Sequence, residues 1–378
     1  MTIAINSTRF LKPTGNDFYY DYFIKIAASK PEHQFVFITP SRTGAKLITF
    51  QNTIHVISSP MANTPLMWKI WLDHTLPGIA RRHKADIIFN TGGVCSLRTR
   101  LPQWLFISDL SILFIPAFFL RRQQHFLKKN MPAFLTRATT IVTASDFLSK
   151  EITRRYSIED GKINTIQLIA SDHYQPAGWI EKESIKEQYA AGKEYFLFSG
   201  EIHPQNNLVN LLKAFSFFKK RQKSNMQLII TAGSVSANDP FIENLKTFKY
   251  RKEVNLLVNL PEEDLAKITA GAYAFLYPAM YEGTTLIALQ AMQCEVPVIS
   301  GNTGAIKEIA GDAVLLADPA NFEDIADKMM QVFKDEANRT ELVRRGILIS
   351  QKYNKDSMDD QWWKSIMPLS SSVHNRFK

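Results

Sequence analysis

The chain has 378 residues, is 45% apolar and carries a formal net charge of +9. This length exceeds that of a usual single domain, and the apolar content suffices for two cores, so we expect two domains. The only cysteines, Cys95 and Cys294, lack metal-ligand spacing and predict buried, reduced thiols in a cytoplasmic protein. The N-terminus begins like a first strand, without the charged segment and apolar run of a signal peptide.

The positive charge is concentrated in the first half of the chain. Residues 1–168 carry 21 Lys or Arg and 10 Asp or Glu, whereas residues 169–378 carry 24 and 26. Such a field favours an anionic partner, whether membrane lipid, phosphorylated acceptor or nucleic acid. A role in solubility alone is the other interpretation, and nucleic acid is the least favoured of the three partners.

Apolar runs typical of strands alternate with helical patterns along the first half. The predicted helices are Phe18 to Ser29, Leu66 to Arg82 and Phe147 to Tyr156. The predicted strands are Ile3 to Ile5, Gln34 to Ile38, Ile54 to Ile57, Ala85 to Phe89, Trp104 to Ile107 and Thr140 to Thr143. This alternation indicates an α/β domain with a parallel sheet covered by helices on both faces.

The second half repeats the alternation, which predicts a second Rossmann-like domain. Its predicted strands are Tyr195 to Ser199, Gln227 to Thr231, Asn255 to Val258, Ala274 to Tyr277 and Val296 to Ile299. We therefore predict an N-terminal domain over 1–168, a linker over 169–193 and a C-terminal domain over 194–355. The tail, 356–378, is predicted to carry Trp362 and Trp363 on a final helix.

One apolar segment, Trp104 to Leu120, precedes a basic stretch that begins at Arg121. The segment is slightly short for a membrane span and is interrupted by Asp109 and Pro116. We favour a buried strand followed by a packed loop and helix. A shallow contact of aromatic and basic residues with the inner face of a membrane is the alternative.

The segment from Tyr277 to Ser300 combines a loop with a following helix. Pro278 and Gly283 mark the loop, and Leu286 to Cys294 has the composition of a buried helix. Free backbone N–H groups at such a helix start attract anions. Glu282 precedes the helix and Gln290 lies about one turn inside it, so we expect the two to bind opposite ends of one ligand.

This segment resembles the Glu-x7-Glu element of family 4 (group 1) glycosyltransferases, which are retaining enzymes of the GT-B fold. Tyr281-Glu282-Gly283, Leu286, Ala291-Met292 and Pro297-Val298-Ile299 match, whereas Gln290 replaces the second Glu and Thr284-Thr285 replace a Phe-Gly pair. The resemblance implies two Rossmann-like domains across a cleft, with the last helix crossing back to the first domain. It also implies that Glu282 lies near the transferred sugar and that Gln290 contacts the ribose of the nucleotide.

A second resemblance lies at Phe196 to Phe218, where a strand, a loop and an amphipathic helix follow one another. The loop resembles the diphosphate-binding loop of the family, and Gly200, His203, Pro204 and Asn207 match that pattern. The family's cations are replaced by Glu201, Gln205 and Asn206. Because each lost cation removes a contact worth roughly 1.5–3 kcal/mol, this pattern predicts weak binding of a diphosphate.

Two positions of the first half also resemble the family. Ser108 stands where the family has a His at the donor sugar, and the neighbouring Asp109 matches, with a capping role as its favoured interpretation. Thr14-Gly15 resembles the small-residue loop after the first strand, although an ordinary turn explains it almost as well. The resemblance thus implies catalytic roles for Glu282 and Ser108, and donor binding by Gly15, Gly200, His203, Asn206, Asn207, Leu260, Thr284, Thr285, Leu286 and Gln290.

The function implied by the resemblance is transfer of a hexose from a UDP- or GDP-linked sugar to a glycan or lipid-linked acceptor, in polysaccharide biosynthesis. No metal-ligand spacing occurs, and the family is metal-independent, so neither a metal nor a cofactor is expected. The replacements at Ser108, Glu201, Gln205, Asn206 and Gln290 support a second hypothesis. In that hypothesis the chain is a catalytically silent GT-B homologue that acts as partner, scaffold or regulator of an active transferase.

Overall fold

The computed structural model describes residues 1–8, 18–40, 49–159, 161–166, 168–235, 239–309, 311–353 and 362–364. The chain divides into two compact units. The first unit comprises Met1–Ile166 and Asp359–Lys378, and the second comprises Gln167–Met358. The segment predicted as a linker, 169–193, is grouped with the second unit and contains a helix, Trp179–Ala190.

The first unit is built on a parallel sheet of seven strands in the order β3-β2-β1-β4-β5-β6-β7. Its strands are β1 Thr2–Asn6, β2 Gln34–Thr39, β3 Thr53–Ile57, β4 Ile87–Asn90, β5 Gln103–Ile107, β6 Thr140–Thr143 and β7 Ile163–Thr165. Its helices are α1 Phe18–Ser29, α2 Pro65–Ile70, α3 Leu76–Arg82, α4 Ser111–Phe114, α5 Arg121–Arg137 and α6 Asp146–Tyr156. The predicted strands of this half are confirmed, and the short edge strand β7 was not predicted.

The single helix predicted from Leu66 to Arg82 is divided in the structure. A π-helical turn, Trp71–Thr75, separates α2 from α3. Asp73 lies in this turn, is buried, and accepts a 2.7 Å hydrogen bond from the backbone N–H of Leu97. The extra residue of a π turn is the kind of local change that hydrophobic spacing does not reveal.

The segment around Trp104 has the structure favoured from its sequence. Trp104 is fully buried in β5, and the chain continues through α4 and a short 3-10 turn into α5. None of the described helices is long and apolar enough to cross a membrane.

The second unit has a parallel sheet of six strands in the order β10-β9-β8-β11-β12-β13. Its strands are β8 Tyr195–Ser199, β9 Gln227–Ala232, β10 Val254–Val258, β11 Ala274–Tyr277, β12 Val298–Gly301 and β13 Val314–Ala317. Its helices are α7 Trp179–Ala190, α8 Leu208–Gln222, α9 Pro240–Lys246, α10 Glu262–Ala270, α11 Leu286–Gln293, α12 Ile306–Ile309, α13 Phe322–Lys334 and α14 Glu336–Lys352. The strand order is that of a dinucleotide-binding sheet, which confirms the predicted α/β class.

The end of the chain belongs to the first unit. Residues 362–364 are helical, and Trp362 is fully buried. Its ring lies 4.9 Å from the ring of Tyr22, 5.4 Å from that of Phe23 and 5.3 Å from that of Phe106. The prediction that the C-terminal helix returns to the first domain is confirmed for these residues.

Candidate active site

The candidate site of the second unit lies at the carboxyl edge of its sheet. The loop over residues 200–207, the first site loop, follows β8, and the loop over residues 278–285, the second site loop, follows β11. The strands β8 and β11 are neighbours at the position where the strand order reverses. Ligands of open α/β sheets bind in the crevice at such a switch point. The fold therefore brings together the two segments that were singled out separately in the sequence.

Gln205 connects the two site loops. Its side chain is 5% exposed, and its Nε2 donates a 3.1 Å hydrogen bond to the carbonyl oxygen of Tyr281. The backbone N–H of Met280 donates in turn to the carbonyl oxygen of Gln205, at 2.8 Å. The amide that occupies a cation position of the resembled family is thus used to join loops. An uncharged amide can be buried there without the cost of desolvating a charge.

Asn206 has a similar role within the first site loop. Its Nδ2 donates to the carbonyl oxygen of Glu201 at 2.7 Å, and its Oδ1 accepts a 3.2 Å hydrogen bond from the hydroxyl of Tyr277. A side chain at Gly200 would place its Cβ 3.2 Å from the ring of Phe198 and 3.5 Å from Nδ2 of Asn206. The approach to the Phe198 ring is the tight one, so glycine at this position leaves the space that this ring needs.

Asn207 is the N-cap residue immediately before α8, and its side chain binds two other loops. Its backbone is left-handed, with φ 61° and ψ 32°, a conformation that Asn tolerates better than most residues. Its Nδ2 donates to the carbonyl oxygens of Pro278, at 2.9 Å, and Pro319, at 2.6 Å. The side chain thereby connects the segments after β8, β11 and β13.

Glu282 shapes the second site loop. Its Oε1 accepts hydrogen bonds from both the backbone N–H and the hydroxyl of Thr284, each at 3.0 Å. The carbonyl oxygen of Glu282 accepts a 2.9 Å hydrogen bond from the backbone N–H of Ala305. Gly304 has a positive φ of 72°, and a Cβ added there would overlap that same carbonyl oxygen. The loop that holds Glu282 is thus fixed both by its own threonine and by the segment after β12.

The other predicted residues of this unit lie along the same edge. Thr285 is buried and immediately precedes α11, Leu286 opens that helix, and Gln290 is half-buried about one turn further on. His203 begins a 3-10 turn, and its Nδ1 accepts a 3.2 Å hydrogen bond from the backbone N–H of Gln205. Leu260 follows β10 and packs against the core. The structure collects these residues at one sheet edge, and their roles in binding a ligand stay predictions.

The predicted residues of the first unit are positioned by β5. Ser108 follows that strand and is half-buried. The Oδ1 of Asp109 accepts a 2.5 Å hydrogen bond from the backbone N–H of Ser111, the first residue of α4. Asp109 therefore has the capping role that its sequence favoured. Gly15 lies outside the described residues.

A buried polar cluster at the switch point of the first sheet was not predicted. Asn6 ends β1 and Asn90 ends β4, and Nδ2 of Asn6 donates to Oδ1 of Asn90 at 3.0 Å. The backbone N–H of Thr8 donates to Oδ1 of Asn6 at 3.1 Å, and Thr91 donates through its hydroxyl to the carbonyl oxygen of Asn6, at 3.1 Å. The sequence did contain a signal for this cluster, because each of the two buried strands ends in a polar residue.

The charge around the second-unit site is negative. The two site loops and the segments 259–261, 302–305 and 318–321 contain no Lys or Arg. They do contain three carboxylates, Glu201, Glu282 and Asp318. Across the described part of the chain, no group of three His, Cys, Asp or Glu side chains is arranged to hold a metal ion. An anionic ligand bound by these segments would therefore depend on hydrogen-bond donors other than Lys and Arg.

Comparison with known proteins identifies this part of the chain. Residues 180–348 match the family model described as glycosyl transferases group 1. These residues form a group 1 glycosyltransferase domain. The transferase domain includes both site loops and Gln290, so the resemblance read from those loops is confirmed.

Similar proteins extend over more of the chain. O-antigen chain mannosyltransferase B of Escherichia coli is 28% identical over 254 residues, which is 67% of this chain and 67% of that protein. The structure of sucrose-phosphate synthase from Thermosynechococcus elongatus matches with a TM-score of 0.81 at 15% identity, and covers 98% of this chain and 99% of that chain. Anabaena HepE in complex with UDP-glucose matches with a TM-score of 0.78 at 15% identity, over 98% and 100%. These matches confirm the predicted GT-B fold.

Proposed function

We propose that the protein is a retaining hexosyltransferase that moves mannose from a nucleotide diphosphate sugar to a glycan or lipid-linked acceptor on the cytoplasmic side. The observation that carries this proposal is the group 1 transferase domain, whose two site loops lie at the switch point of its sheet. The name of the Escherichia coli relative supports mannose and polysaccharide synthesis. The UDP-glucose bound to HepE supports a nucleotide sugar as donor.

In the proposed reaction, the bond between the anomeric carbon and the donor diphosphate breaks, and a bond to the acceptor oxygen forms on the same face. The proton of the acceptor hydroxyl passes to an oxygen of the departing diphosphate. The protein then has to position both substrates and stabilise the charge of the leaving group, without a metal. Glu282 is assigned to the transferred sugar, and Gln290 is assigned to the ribose hydroxyls.

The diphosphate is assigned to the start of α11. Backbone N–H groups at a helix start attract anions, and the hydroxyls of Thr284 and Thr285 precede this helix. Gly200 and His203 of the first site loop are assigned to the other side of the diphosphate. The backbone of that loop is held in place by the hydrogen bonds of Gln205, Asn206 and Asn207. Because Lys and Arg are absent from these loops, we expect donor affinity to be modest.

The proposal is tested by calorimetric titration of the protein with GDP-mannose, UDP-glucose and ADP-glucose, each followed by an assay of sugar release with and without a chelator. Saturable binding of GDP-mannose with slow, chelator-insensitive release would support it. The variant Gln290→Glu should bind the nucleotide more tightly and Gln290→Ala more weakly, since the ribose hydroxyls gain or lose an acceptor. A folded protein that binds none of the three donors would instead be the silent homologue.

A further inference from the structure

A cavity lies between α8 and α13 of the second unit. Its volume is about 510 Å³, which is within the range of small-molecule sites. Met330, which is 7% exposed, forms its apolar floor. Its polar lining consists of Arg221, Gln222, Asp327, Gln331, Lys334 and Asp335.

This α8–α13 cavity is separate from the candidate active site. The first site loop precedes α8 and residues 318–321 precede α13, so both helices begin at the carboxyl edge of the sheet. Helix α8 has 15 residues and is about 22 Å long, and the cavity lies toward the far end of it. The two helices pack side by side, with ring distances of 6.2 Å between Phe217 and Phe322 and 5.2 Å between Phe218 and Phe333.

The two cations of the cavity lie at helix ends. Arg221 is in the last turn of α8, Lys334 is the last residue of α13, and both are exposed. The guanidinium carbon of Arg221 lies 4.4 Å from the centroid of the Phe217 ring. Within the described ranges neither cation is in an ion pair, although two carboxylates line the same cavity. Their N–H donors are therefore available to a ligand.

The carboxylates and amides of the cavity also keep hydrogen-bonding capacity. Across the part of the chain that the structure describes, the carboxylate of Asp327 has no hydrogen bond or ion pair. The Oδ1 of Asp335 accepts a 2.9 Å hydrogen bond from the backbone N–H of Asn338, which leaves its second oxygen for a ligand. The side-chain amides of Gln222 and Gln331 have no hydrogen-bond partner among the described residues. The cavity thus offers both donors and acceptors.

The lining selects the chemical class of the ligand. Its two cations and two carboxylates balance, so an anionic ligand would meet Asp327 and Asp335, and a cationic one would meet Arg221 and Lys334. A hydroxyl group is neutral and both donates and accepts, so it can pair with every polar group of the lining. The buried Met330 suits an apolar C–H face. A sugar ring combines these two properties.

We propose that the α8–α13 cavity binds a neutral mono- or disaccharide. Asp327 and Asp335 accept hydrogen bonds from the sugar hydroxyls, Arg221 and Lys334 donate to them, and the ring packs on Met330. A glycan that the proposed reaction would extend belongs to this class of ligand. The binding itself requires neither donor nor catalysis, so a negative transferase assay with saccharide binding retained would count against the proposed function alone.

The test is a saturation-transfer NMR titration of the full chain with mannose and mannobiose. Mannose 6-phosphate and mannosamine serve as the anionic and cationic counterparts of mannose. The neutral sugars should bind saturably in the millimolar range, and both charged sugars should bind more weakly, because each meets side chains of its own charge. Absence of saturation with either neutral sugar, or tighter binding of mannose 6-phosphate than of mannose, would overturn the proposal.

A double variant without change of net charge tests the lining. Arg221→Ala with Asp327→Ala removes one donor and one acceptor and should weaken mannobiose binding at least about tenfold. Lys220→Ala with Glu323→Ala is the matched control, since these residues are exposed on the same two helices and do not line the cavity. Equal losses of affinity in the two double variants would contradict the assignment.

Two further variants distinguish the cavity from the candidate active site. Gln331→Trp fills the cavity at an exposed position without changing the charge, and it should abolish mannobiose binding while circular dichroism shows an intact fold. Glu282→Ala, in the second site loop, should leave the affinity for mannobiose unaltered. Binding that is lost in Glu282→Ala and retained in Gln331→Trp would place the saccharide at the candidate active site, and the cavity proposal would be wrong.

Discussion

At the scale of single residues, amides occupy positions where the resembled family has cations. The side chain of Gln205 hydrogen-bonds Tyr281. The side chain of Asn206 hydrogen-bonds Glu201 and Tyr277. The Asn206 amide donates and accepts at once, whereas the Gln205 amide only donates, and both are uncharged, which suits a buried junction between loops. The amides at Gln205 and Asn206 therefore have two effects: they remove positive charge from the site, and they hold its loops in place.

The first prediction concerns Glu201, which stands at the family's arginine position. Glu201→Arg should tighten binding of the nucleotide sugar about tenfold, because a carboxylate is replaced by a cation that can bind phosphate. Calorimetry with GDP-mannose measures the change. Glu187→Arg, an exposed and charge-matched replacement on α7, should leave the affinity unaltered. Equal affinity in both variants would mean that the diphosphate does not lie at the first site loop.

The second prediction concerns the thiols. Burial raises the pKa of Cys95 to about 12 and that of Cys294 to about 12. Only about one thiol in ten thousand is ionised at pH 8, so the native protein should resist iodoacetamide. Mass spectrometry should find both cysteines unlabelled in buffer and labelled in denaturant. Rapid labelling of the native protein at pH 8 would contradict the burial of these side chains.

At the scale of elements, the loops of the site are held together by the residue that caps the N-terminus of α8. Asn207 combines a left-handed backbone with two hydrogen bonds to carbonyl oxygens of other loops. A residue with a branched or charged side chain would lose either the conformation or the bonds. The start of α8 is thereby fixed relative to β11 and β13.

The third prediction separates the contribution of the left-handed backbone of Asn207 from that of its side-chain hydrogen bonds. Asn207→Gly keeps the backbone conformation and should lower the free energy of unfolding by about 1–3 kcal/mol, because two buried carbonyl oxygens lose their donor. Asn207→Ala should cost about 1 kcal/mol more, since alanine is strained in a left-handed conformation. Urea unfolding followed by circular dichroism measures both, and the exposed Asn225→Ala is the control. Identical midpoints for Asn207→Gly and the parent protein would refute this role.

At the scale of the whole molecule, the two units differ in charge, and only the first is built from two separate parts of the chain. The first half carries the excess of Lys and Arg, whereas the loops at the second-unit site carry carboxylates and no cation. The core of the first unit also includes a side chain from the far end of the chain, because Trp362 packs against Phe23, Phe89 and Phe106.

The fourth prediction follows from that packing. Trp362→Ala should destabilise the first unit by about 3–5 kcal/mol, because a large buried side chain is removed and leaves a cavity. Chemical denaturation followed by tryptophan fluorescence should show an earlier transition. Trp179→Ala is the matched control, since Trp179 is 77% exposed. Equal effects of the two variants would show that the end of the chain adds nothing to the first core.

The sequence alone was enough to predict most of the strands, the two Rossmann-like halves and the family of the second one. These features depend on local periodicity and on motifs such as Tyr281-Glu282-Gly283, which are readable over a few residues. Buried strands such as β5, with its run around Trp104, are especially clear because both of their faces are apolar.

Only the tertiary structure decided how the site is held. The carbonyl oxygens of Tyr281 and Pro319 bind Gln205 and Asn207 across more than 70 residues of sequence, and a backbone carbonyl has no signature in the sequence. The same holds for the π turn at Asp73 and for the Asn6–Asn90 pair. Such contacts depend on which strand ends the parallel sheet places side by side, and strand order is a property of the folded chain.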